Sequence, residues 1–123
     1  MLLSRSDLGR RGEEIAAAFL RQAGYRLLKR NYICPSGELD LICYHQGVLV
    51  FVEVKTRRED AAGDPEENIT PAKQRRLERA ARTWLAAHGP PNCSYRFDAV
   101  SVVLPEQGDA RVRHIVEAFA PRR

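Results

Sequence analysis

The sequence lacks the cysteine and histidine motifs that hold metals in small domains. Cys34, Cys43 and Cys93 form no Cys-x-x-Cys pair, and the three histidines are scattered along the chain. A structural zinc site requires four such ligands at close spacing, so we expect none here. Because disulfides are rare in the cytosol and the cysteine count is odd, we expect free, mostly buried thiols.

Long apolar runs are absent as well. No segment approaches the roughly 20 apolar residues of a membrane-spanning helix, which argues against a membrane protein. The first residues, MLLSRSDLGRR, contain no apolar core of signal-peptide length, so we expect a cytoplasmic protein.

A strong excess of one charge is also missing, although the balance is basic. The 20 Lys and Arg against 16 Asp and Glu give a formal net charge of +4 and a pI of about 9.3. This favours, only weakly, an anionic partner such as nucleic acid. The 123 residues, of which 44% are hydrophobic, suit one globular domain over residues 1–123.

Periodicity and turn residues divide the chain into seven elements. A helical period predicts helices over residues 7–23, capped by Ser6 or Asp7, and 71–88, capped by Thr70. Apolar runs between turn signals predict strands over residues 25–33, 38–45, 48–56, 95–104 and 111–119. Residues 58–69 are polar and broken by glycine and proline, which is typical of a mobile loop. The result is an α/β fold in the order α-β-β-β-α-β-β with about five strands.

Charges interrupt two of these strands, in the segment GELDLICYHQGVLVFVEVKTR. Asp40 lies between two leucines, and Glu53 and Lys55 lie among valines and a phenylalanine. An unpartnered buried charge costs several kcal/mol, so these three need a common explanation. Alternate residues of a strand share a face, which puts Glu53 with Lys55, and Asp40 with Glu38 and Ile42. If Asp40 pairs near Glu53, two carboxylates and a lysine meet where the sheet reaches solvent.

This grouping suits phosphodiester cleavage. Two close carboxylates repel each other unless a cation lies between them, and Mg²⁺ accepts one or two carboxylates together with waters. Such an ion activates a bound water and offsets phosphoryl charge, while a nearby lysine orients that water. The alternative is a surface salt bridge between Glu53 and Lys55, with Asp40 as an isolated charge.

The same residues carry a resemblance to a known family. GELDLI followed by VFVEVKTR resembles the PD-(D/E)xK nuclease superfamily. Leu39 replaces the proline of that motif, a departure usual in the YraN family of predicted bacterial endonucleases, which the chain resembles more closely. That family is similar to archaeal Holliday junction resolvases. The likeness extends over nearly the whole chain and includes LGRRGEEIAAAFLRQAGYRLLKRNY, PAKQRRLERAARTWL, YRFDAV and HIVEAF.

The resemblance implies a restriction-endonuclease-like core, a mixed sheet flanked by helices, that cleaves DNA with Mg²⁺ or Mn²⁺. Asp40, Glu53 and the backbone carbonyl of Val54 would bind the metal, and Lys55 would be the catalytic lysine. Glu13, in GRRGEE, matches a glutamate that related resolvases direct at the metal. Branched DNA in repair or recombination would be the substrate. A homodimer is an assembly that the resemblance allows, because resolvases cut two strands as dimers.

Helical geometry is consistent with a site role for Glu13. At about 100° per residue, Glu13 lies at the edge of the apolar stripe of the first helix, and Glu14 lies roughly opposite the stripe. We therefore expect Glu14 to be solvated. The alternative is that both are acidic residues favoured near the N-terminus of a helix by its dipole.

Nucleic-acid contacts are expected near the start of the second helix. Lys73 and Gln74 lie in its first turn, where the positive helix end favours phosphate, and Arg57 and Arg58 follow the Glu-x-Lys strand. A solvated outer helix face is expected for Arg75, Arg76, Arg79 and Arg82. Trp84 and Phe19 are expected in the core, and Asp98 receives no catalytic role.

Two other functions stay open at the level of sequence. The domain could bind nucleic acid or a partner protein, with its acidic residues serving only a structural role. An RNA nuclease is a further option, although no residue pattern indicates recognition of a 2′-hydroxyl group.

Overall fold

Two helices and five strands form the part of the chain that the structure, a computed structural model, describes: residues 4–60 and 69–121. The elements are α1 (Arg5–Gln22), β1 (Arg26–Cys34), β2 (Gly37–His45), β3 (Val48–Arg58), α2 (Pro71–His88), β4 (Ser94–Leu104) and β5 (Arg111–Phe119). This confirms the predicted α-β-β-β-α-β-β order. Every predicted boundary lies within two residues of the observed one.

The five strands form one mixed sheet in the order β1-β2-β3-β4-β5. Strands β3 and β4 run parallel, from Val48 opposite Ser94 to Arg58 opposite Leu104, and the other neighbouring pairs are antiparallel. Parallel neighbours require a crossover connection, and α2 provides it. The predicted mixed sheet flanked by helices is therefore confirmed.

Each helix covers one face of the sheet with its apolar side. The α1 layer is built from Ala16, Ala17, Leu20, Tyr25, Leu41, Cys43, Val50, Val52, Val100, Val102 and Leu104. The α2 layer is built from Leu39, Ile42, Leu49, Phe51, Ile69, Leu77, Ala80, Ala81, Trp84, Phe97 and Ala99. The even-numbered residues of β3 thus face α1 and its odd-numbered residues face α2, as alternation predicts.

Helix α1 begins two residues earlier than expected. Its cap is Ser4, whose Oγ accepts a hydrogen bond of 3.1 Å from the backbone N–H of Asp7. The prediction of Ser6 or Asp7 as the cap was wrong because Ser4 and Asp7 have the spacing of a capping pair, and the Ser4 hydroxyl also bonds the Asp7 carboxylate at 2.8 Å. The helix ends at Gln22, and Gly24 adopts the left-handed φ of 92° that suits glycine after a helix.

Helix α2 has the predicted boundaries. The Thr70 hydroxyl accepts a hydrogen bond of 3.3 Å from the backbone N–H of Lys73, and Pro71 takes the first helical position. The predicted mobile loop at residues 58–69 is wrong at both ends, since Arg58 belongs to β3 and Ile69 is buried in the α2 layer. Residues 61–68 of that predicted loop lie outside the described part of the chain.

The remaining expectations concern cysteines, aromatic residues and membranes. All three cysteines are free, but of these only Cys43 is fully buried. Trp84 is buried in the α2 layer and Phe19 packs, partly buried, against the α1 layer. Over residues 4–60 and 69–121, neither helix has the length and hydropathy needed to cross a membrane.

Candidate active site

Asp40 lies where β2 and β3 separate. Regular pairing of the two strands runs from His45 opposite Val48 to Leu41 opposite Val52, so Asp40 is one residue beyond the last pair. Its Oδ2 accepts a hydrogen bond of 2.8 Å from the backbone N–H of Val54. The carboxylate therefore spans the gap that opens between the two strands beyond the Leu41–Val52 pair. We call this gap the β2–β3 fork.

The strand alternation is interrupted next to Asp40. Leu39 packs in the α2 layer with Ile42, whereas Leu41, two residues from Leu39, packs in the α1 layer. Asn31, which the register places across from Asp40 on β1, has a left-handed φ of 52°. Strict alternation of sides therefore breaks at Leu39, while Glu38 and Asp40 line one cavity, in keeping with the expectation that they share a face. This irregularity lets Asp40 project into the fork.

Glu53 enters the same region from the α2 side of β3. Continuing the register by one residue puts it across from Asp40, as the sequence analysis supposed. It is only 7% exposed, and its Oε1 lies 2.5 Å from the Nζ of Lys73. A nearly buried carboxylate requires such a partner, so Lys73 on α2 stabilises the charge of Glu53.

Glu13 approaches the fork from α1. The helix lies close against β3 at Gly12, where an added Cβ would meet the Oγ1 of Thr56 at 1.7 Å. Burial raises the pKa of Glu13, as do the charges of Glu38 and Glu53, while a hydrogen bond with Asn31 opposes the shift. Glu13 is therefore close to the acidic residues of the sheet.

The exposure of the two neighbouring glutamates matches the sequence analysis. Glu13 is partly buried and Glu14 is exposed, as the helical period predicts. Of the two glutamates, Glu13 is therefore the one that interacts with the carboxylates of the fork.

Four carboxylates form one acidic cluster: Glu13, Glu38, Asp40 and Glu53. Burial first, and then the charge of Glu53, raises the pKa of Asp40 from 3.8 to about 7. The Val54 N–H opposes this shift, and Glu13 and Glu38 add to it. The ionised cluster is thus destabilised by its own charge, a conflict that a bound cation relieves.

A cavity of about 180 Å³ opens beside the cluster. Its wall is formed by Gly37, Glu38, Asp40, Glu53, Lys73, Arg76 and Leu77. The cavity brings both predicted carboxylate ligands together with two cationic side chains of α2. Such a concave site suits a phosphate group next to a metal ion.

Lys55 follows Glu53 by two residues and lies on the same side of β3. It pairs in register with Ser101 of β4, and its side chain is partly exposed. Its position at the solvent end of this face agrees with the spacing of the Glu-x-Lys motif. The strand therefore presents a carboxylate and an ammonium in sequence toward the α2 side.

The two carboxylates at the fork are of the type that a hard divalent ion accepts. Over residues 4–60 and 69–121, no group of three or more Asp, Glu, His or Cys side chains is assembled closely enough to hold a metal. Asp40 and Glu53 nevertheless provide the one or two carboxylates that Mg²⁺ uses, with waters completing its shell. The Val54 carbonyl faces the fork too, because the N–H and C=O of an extended residue point the same way.

The four predicted nucleic-acid contacts fall in different places. Lys73 lies in the cavity, but it is paired with Glu53. Gln74 donates from Nε2 to the carbonyl of Ile69 at 2.8 Å and so fixes the start of α2. Only the first of these two is at the site.

Arg57 and Arg58 point to opposite sides of β3. Arg58 lies 3.8 Å from Asp60 and lines a separate hollow with Leu8 and Arg11. Arg57 is partly exposed, and its Nε is buried with no hydrogen-bond partner among the described residues. Of the two, Arg57 shares the side of the strand that carries Glu53 and Lys55.

Sequence reasoning missed two residues that line the cavity. Glu38 was placed on the face of Asp40 but given no site role, and Arg76 was assigned to a solvated outer face. Arg76 follows Lys73 by three residues, so the helical period was a signal that the two are neighbours. For Glu38 the signal was the two-residue period of the strand, which already put it on the face of Asp40.

Asp98 belongs to a different network, on the α1 side of the sheet. It is 1% exposed and lies 2.9 Å from Arg96 Nε and 2.8 Å from His114 Nε2. It also accepts a hydrogen bond of 3.0 Å from the backbone N–H of Glu117, where β5 is irregular. Asp98 therefore supports the pairing of β4 with β5, apart from the cavity.

Comparison with known proteins places the chain in a family. Residues 12–102 match the model of the uncharacterised protein family UPF0102. The chain belongs to UPF0102. The matched range contains Glu13 together with the strands and the helix that form the fork and the cavity. The family part of the sequence resemblance is thus confirmed, and the nuclease activity it implies stays a prediction.

Relatives of this UPF0102 chain match over nearly its whole length. A UPF0102 protein of Symbiobacterium thermophilum is 52% identical over 114 residues, 91% of this chain and 95% of the relative. Those of Pelobacter propionicus and Anaeromyxobacter dehalogenans are 48% and 46% identical over 115 residues. These two matches cover 92% and 94% of this chain, and 82% and 85% of the relatives.

Proposed function

We propose that this UPF0102 chain is a Mg²⁺- or Mn²⁺-dependent endonuclease that hydrolyses phosphodiester bonds of DNA. The supporting observation is the position of Asp40 in the fork, across from Glu53 and bonded to the N–H of Val54. Burial, and after it the charge of Glu53, raises the pKa of Asp40 to about 7, which is typical of a functional site.

The proposed mechanism assigns one task to each residue. Asp40, Glu53 and the Val54 carbonyl would hold the metal ion, which would supply an activated water and offset charge on the phosphate. Lys55 positions the attacking water or stabilises the charge that develops in the transition state. Glu13 completes the site from α1, directly or through a water.

Branched DNA in repair or recombination is the proposed substrate, in the cytoplasm. This choice rests on the resemblance to resolvases, as does the homodimer that would cut two strands. An RNA substrate is less well supported, because no contact for a 2′-hydroxyl group is evident in the described residues. RNA is therefore tested beside DNA.

A second candidate is a binding domain without catalysis. The observation that favours it is the ion pair between Lys73 and Glu53, which satisfies the buried carboxylate without a metal. The acidic cluster would then be a structural feature beneath a nucleic-acid or protein interface.

A cleavage assay separates the two candidates. Purified protein is incubated with a four-way junction, a flap, duplex, single-stranded DNA and RNA, with Mg²⁺ or Mn²⁺. We expect metal-dependent cleavage of a branched DNA that Asp40→Asn and Lys55→Ala abolish while DNA binding persists. Absence of cleavage of every substrate with either metal would overturn the proposed nuclease in favour of the binding domain.

A further inference from the structure

Basic residues recur at every third position along the N-terminal two thirds of α2. They are Lys73, Arg76, Arg79 and Arg82. Three residues advance an α-helix by about 4.5 Å and return about 60° short of a full turn. The four side chains therefore form an oblique line across the helix, which we call the basic row.

The basic row begins in the cavity and ends on the outer surface. Lys73 and Arg76 line the cavity beside Asp40 and Glu53. Each further step carries the row away from the sheet, and Arg79 and Arg82 are exposed. The row thus connects the acidic cluster with the solvent side of α2.

The exposed surface of α2 carries charges of a single sign. The one acidic residue of the helix, Glu78, is only 6% exposed, whereas Arg75, Arg76, Arg79 and Arg82 are all exposed. Like charges three or four residues apart destabilise a helix by about 0.2–0.5 kcal/mol per pair. The exposure of these arginines agrees with the sequence-based expectation of a solvated face, but exposure alone does not explain why the exposed charges of α2 are all of one sign.

We propose that the basic row binds the phosphates of a nucleic-acid strand and leads that strand across α2 into the cavity. Arginine recognises phosphate with two parallel hydrogen bonds, and several such contacts fix the register of a bound strand. This inference rests on the proposed function, because the row leads the strand to the cavity where the bond would be cleaved. A strand can follow the row into a cavity, whereas a flat anionic membrane cannot.

The salt dependence of binding tests the row. Binding of a labelled single strand and a labelled junction is measured by fluorescence anisotropy against salt concentration, without divalent ions, in a Lys55→Ala background. Each phosphate contact contributes roughly −0.9 to the slope of log K against log salt for duplex DNA. Removing both contacts with Arg79→Gln/Arg82→Gln should lower affinity by about tenfold or more and flatten the slope by about 1.8 for the junction and about 1.4 for the single strand.

Two further variants are matched to this pair. Arg21→Gln/Arg26→Gln removes the same charge from exposed residues where α1 ends and β1 begins, and the salt slope should not change. Arg79→Lys/Arg82→Lys retains the charge and should keep most of the slope. This second variant separates loss of phosphate contacts from loss of folding.

Three results would overturn the basic row. The first is an unchanged salt slope for Arg79→Gln/Arg82→Gln. The second is an equal loss of affinity in the Arg21→Gln/Arg26→Gln control. The third is binding to vesicles of phosphatidylcholine and phosphatidylserine that depends on Arg79 as strongly as binding to the nucleic acid does. If the wild type cleaves DNA but the slope of Arg79→Gln/Arg82→Gln is unchanged, phosphate binding by the basic row is rejected and the proposed nuclease activity stands. A flattened slope without cleavage of any substrate would keep the row and reject the nuclease.

Discussion

The ammonium of Lys73 lies 2.5 Å from a carboxylate oxygen of Glu53, which is almost completely buried. The two residues come from α2 and β3, and both line the cavity that contains Asp40. The protein therefore places a positive charge of its own, the ammonium of Lys73, next to Glu53. A divalent ion held by Asp40 and Glu53 would compete with this lysine for the same carboxylate.

Replacement of Lys73 should increase the stabilisation that metal gives. Without metal, Lys73→Met removes this ion pair from Glu53, and we expect a loss of about 1–3 kcal/mol, below the 3–5 kcal/mol of a fully buried pair because Lys73 is partly exposed. A metal ion that binds only the folded state then raises the Tm of the variant more than that of the wild type. Thermal unfolding with and without Mn²⁺ measures this difference, with Lys73→Arg as control. If Mn²⁺ raised the Tm of the wild type and of Lys73→Met equally, Lys73 would not compete with the metal ion for Glu53.

Asp40→Asn should stabilise the metal-free protein at alkaline pH. Burial and the charge of Glu53 raise the pKa of Asp40 to about 7, so the folded state carries a penalty that is absent below the unfolded pKa near 4 and complete above 7. We expect Asn to raise the Tm at pH 8 and to change it little at pH 4. The measurement is thermal unfolding at both pH values in chelator, and a variant less stable at pH 8 than the wild type would refute it.

Gly12→Ala should disturb the approach of α1 to the fork. The added Cβ would lie 1.7 Å from the Oγ1 of Thr56, so the helix or the strand must move. We expect a loss of about 1–3 kcal/mol, the usual cost of overpacking, and a displaced Glu13. Gly9→Ala is the matched control, because nothing lies within 4 Å of its Cβ, and it should be neutral or stabilising. Urea denaturation measures both, and equal stability of the two variants would contradict the contact.

Asp98→Asn should destabilise the sheet in a pH-dependent way. Although burial raises the pKa of Asp98, its bonds to His114, Arg96 and the Glu117 N–H outweigh burial and lower the pKa below 3.8. The stabilising contribution is therefore present above the unfolded pKa near 4 and is lost as the pH falls through the folded pKa. We expect a cost of about 3 kcal/mol near neutral pH that shrinks below pH 4. Denaturation curves between pH 3 and 7 test this, and a cost independent of pH would disprove it.

The sequence predicted the fold through local patterns. The caps and turns near Thr70, Pro71 and Gly24, and the two-residue period of β3, gave the order of elements and the sides of the sheet. The same period brought Glu53 and Lys55 to one side of β3. These features depend on residues two to four positions apart, which interact directly whatever the rest of the chain does.

Contacts between distant segments were beyond the reach of such patterns. The change of side at Leu39, the pair of Lys73 with Glu53, and the contact of Gly12 with Thr56 each join elements that are separate in the sequence. Arg76 is exposed, as expected, but its place in the cavity wall was missed, because the packing of α2 on the sheet decides which part of the helix surface meets the cavity.

The amino-acid sequence by itself determined the succession of helices and strands and the charges that interrupt two strands, because backbone preferences and side-chain periodicity are local. The tertiary structure decided that β2 and β3 separate at Asp40, that four carboxylates gather there, and that α2 directs its lysine toward them. These outcomes depend on how the sheet and its two helices pack, and packing is decided by all the buried side chains together.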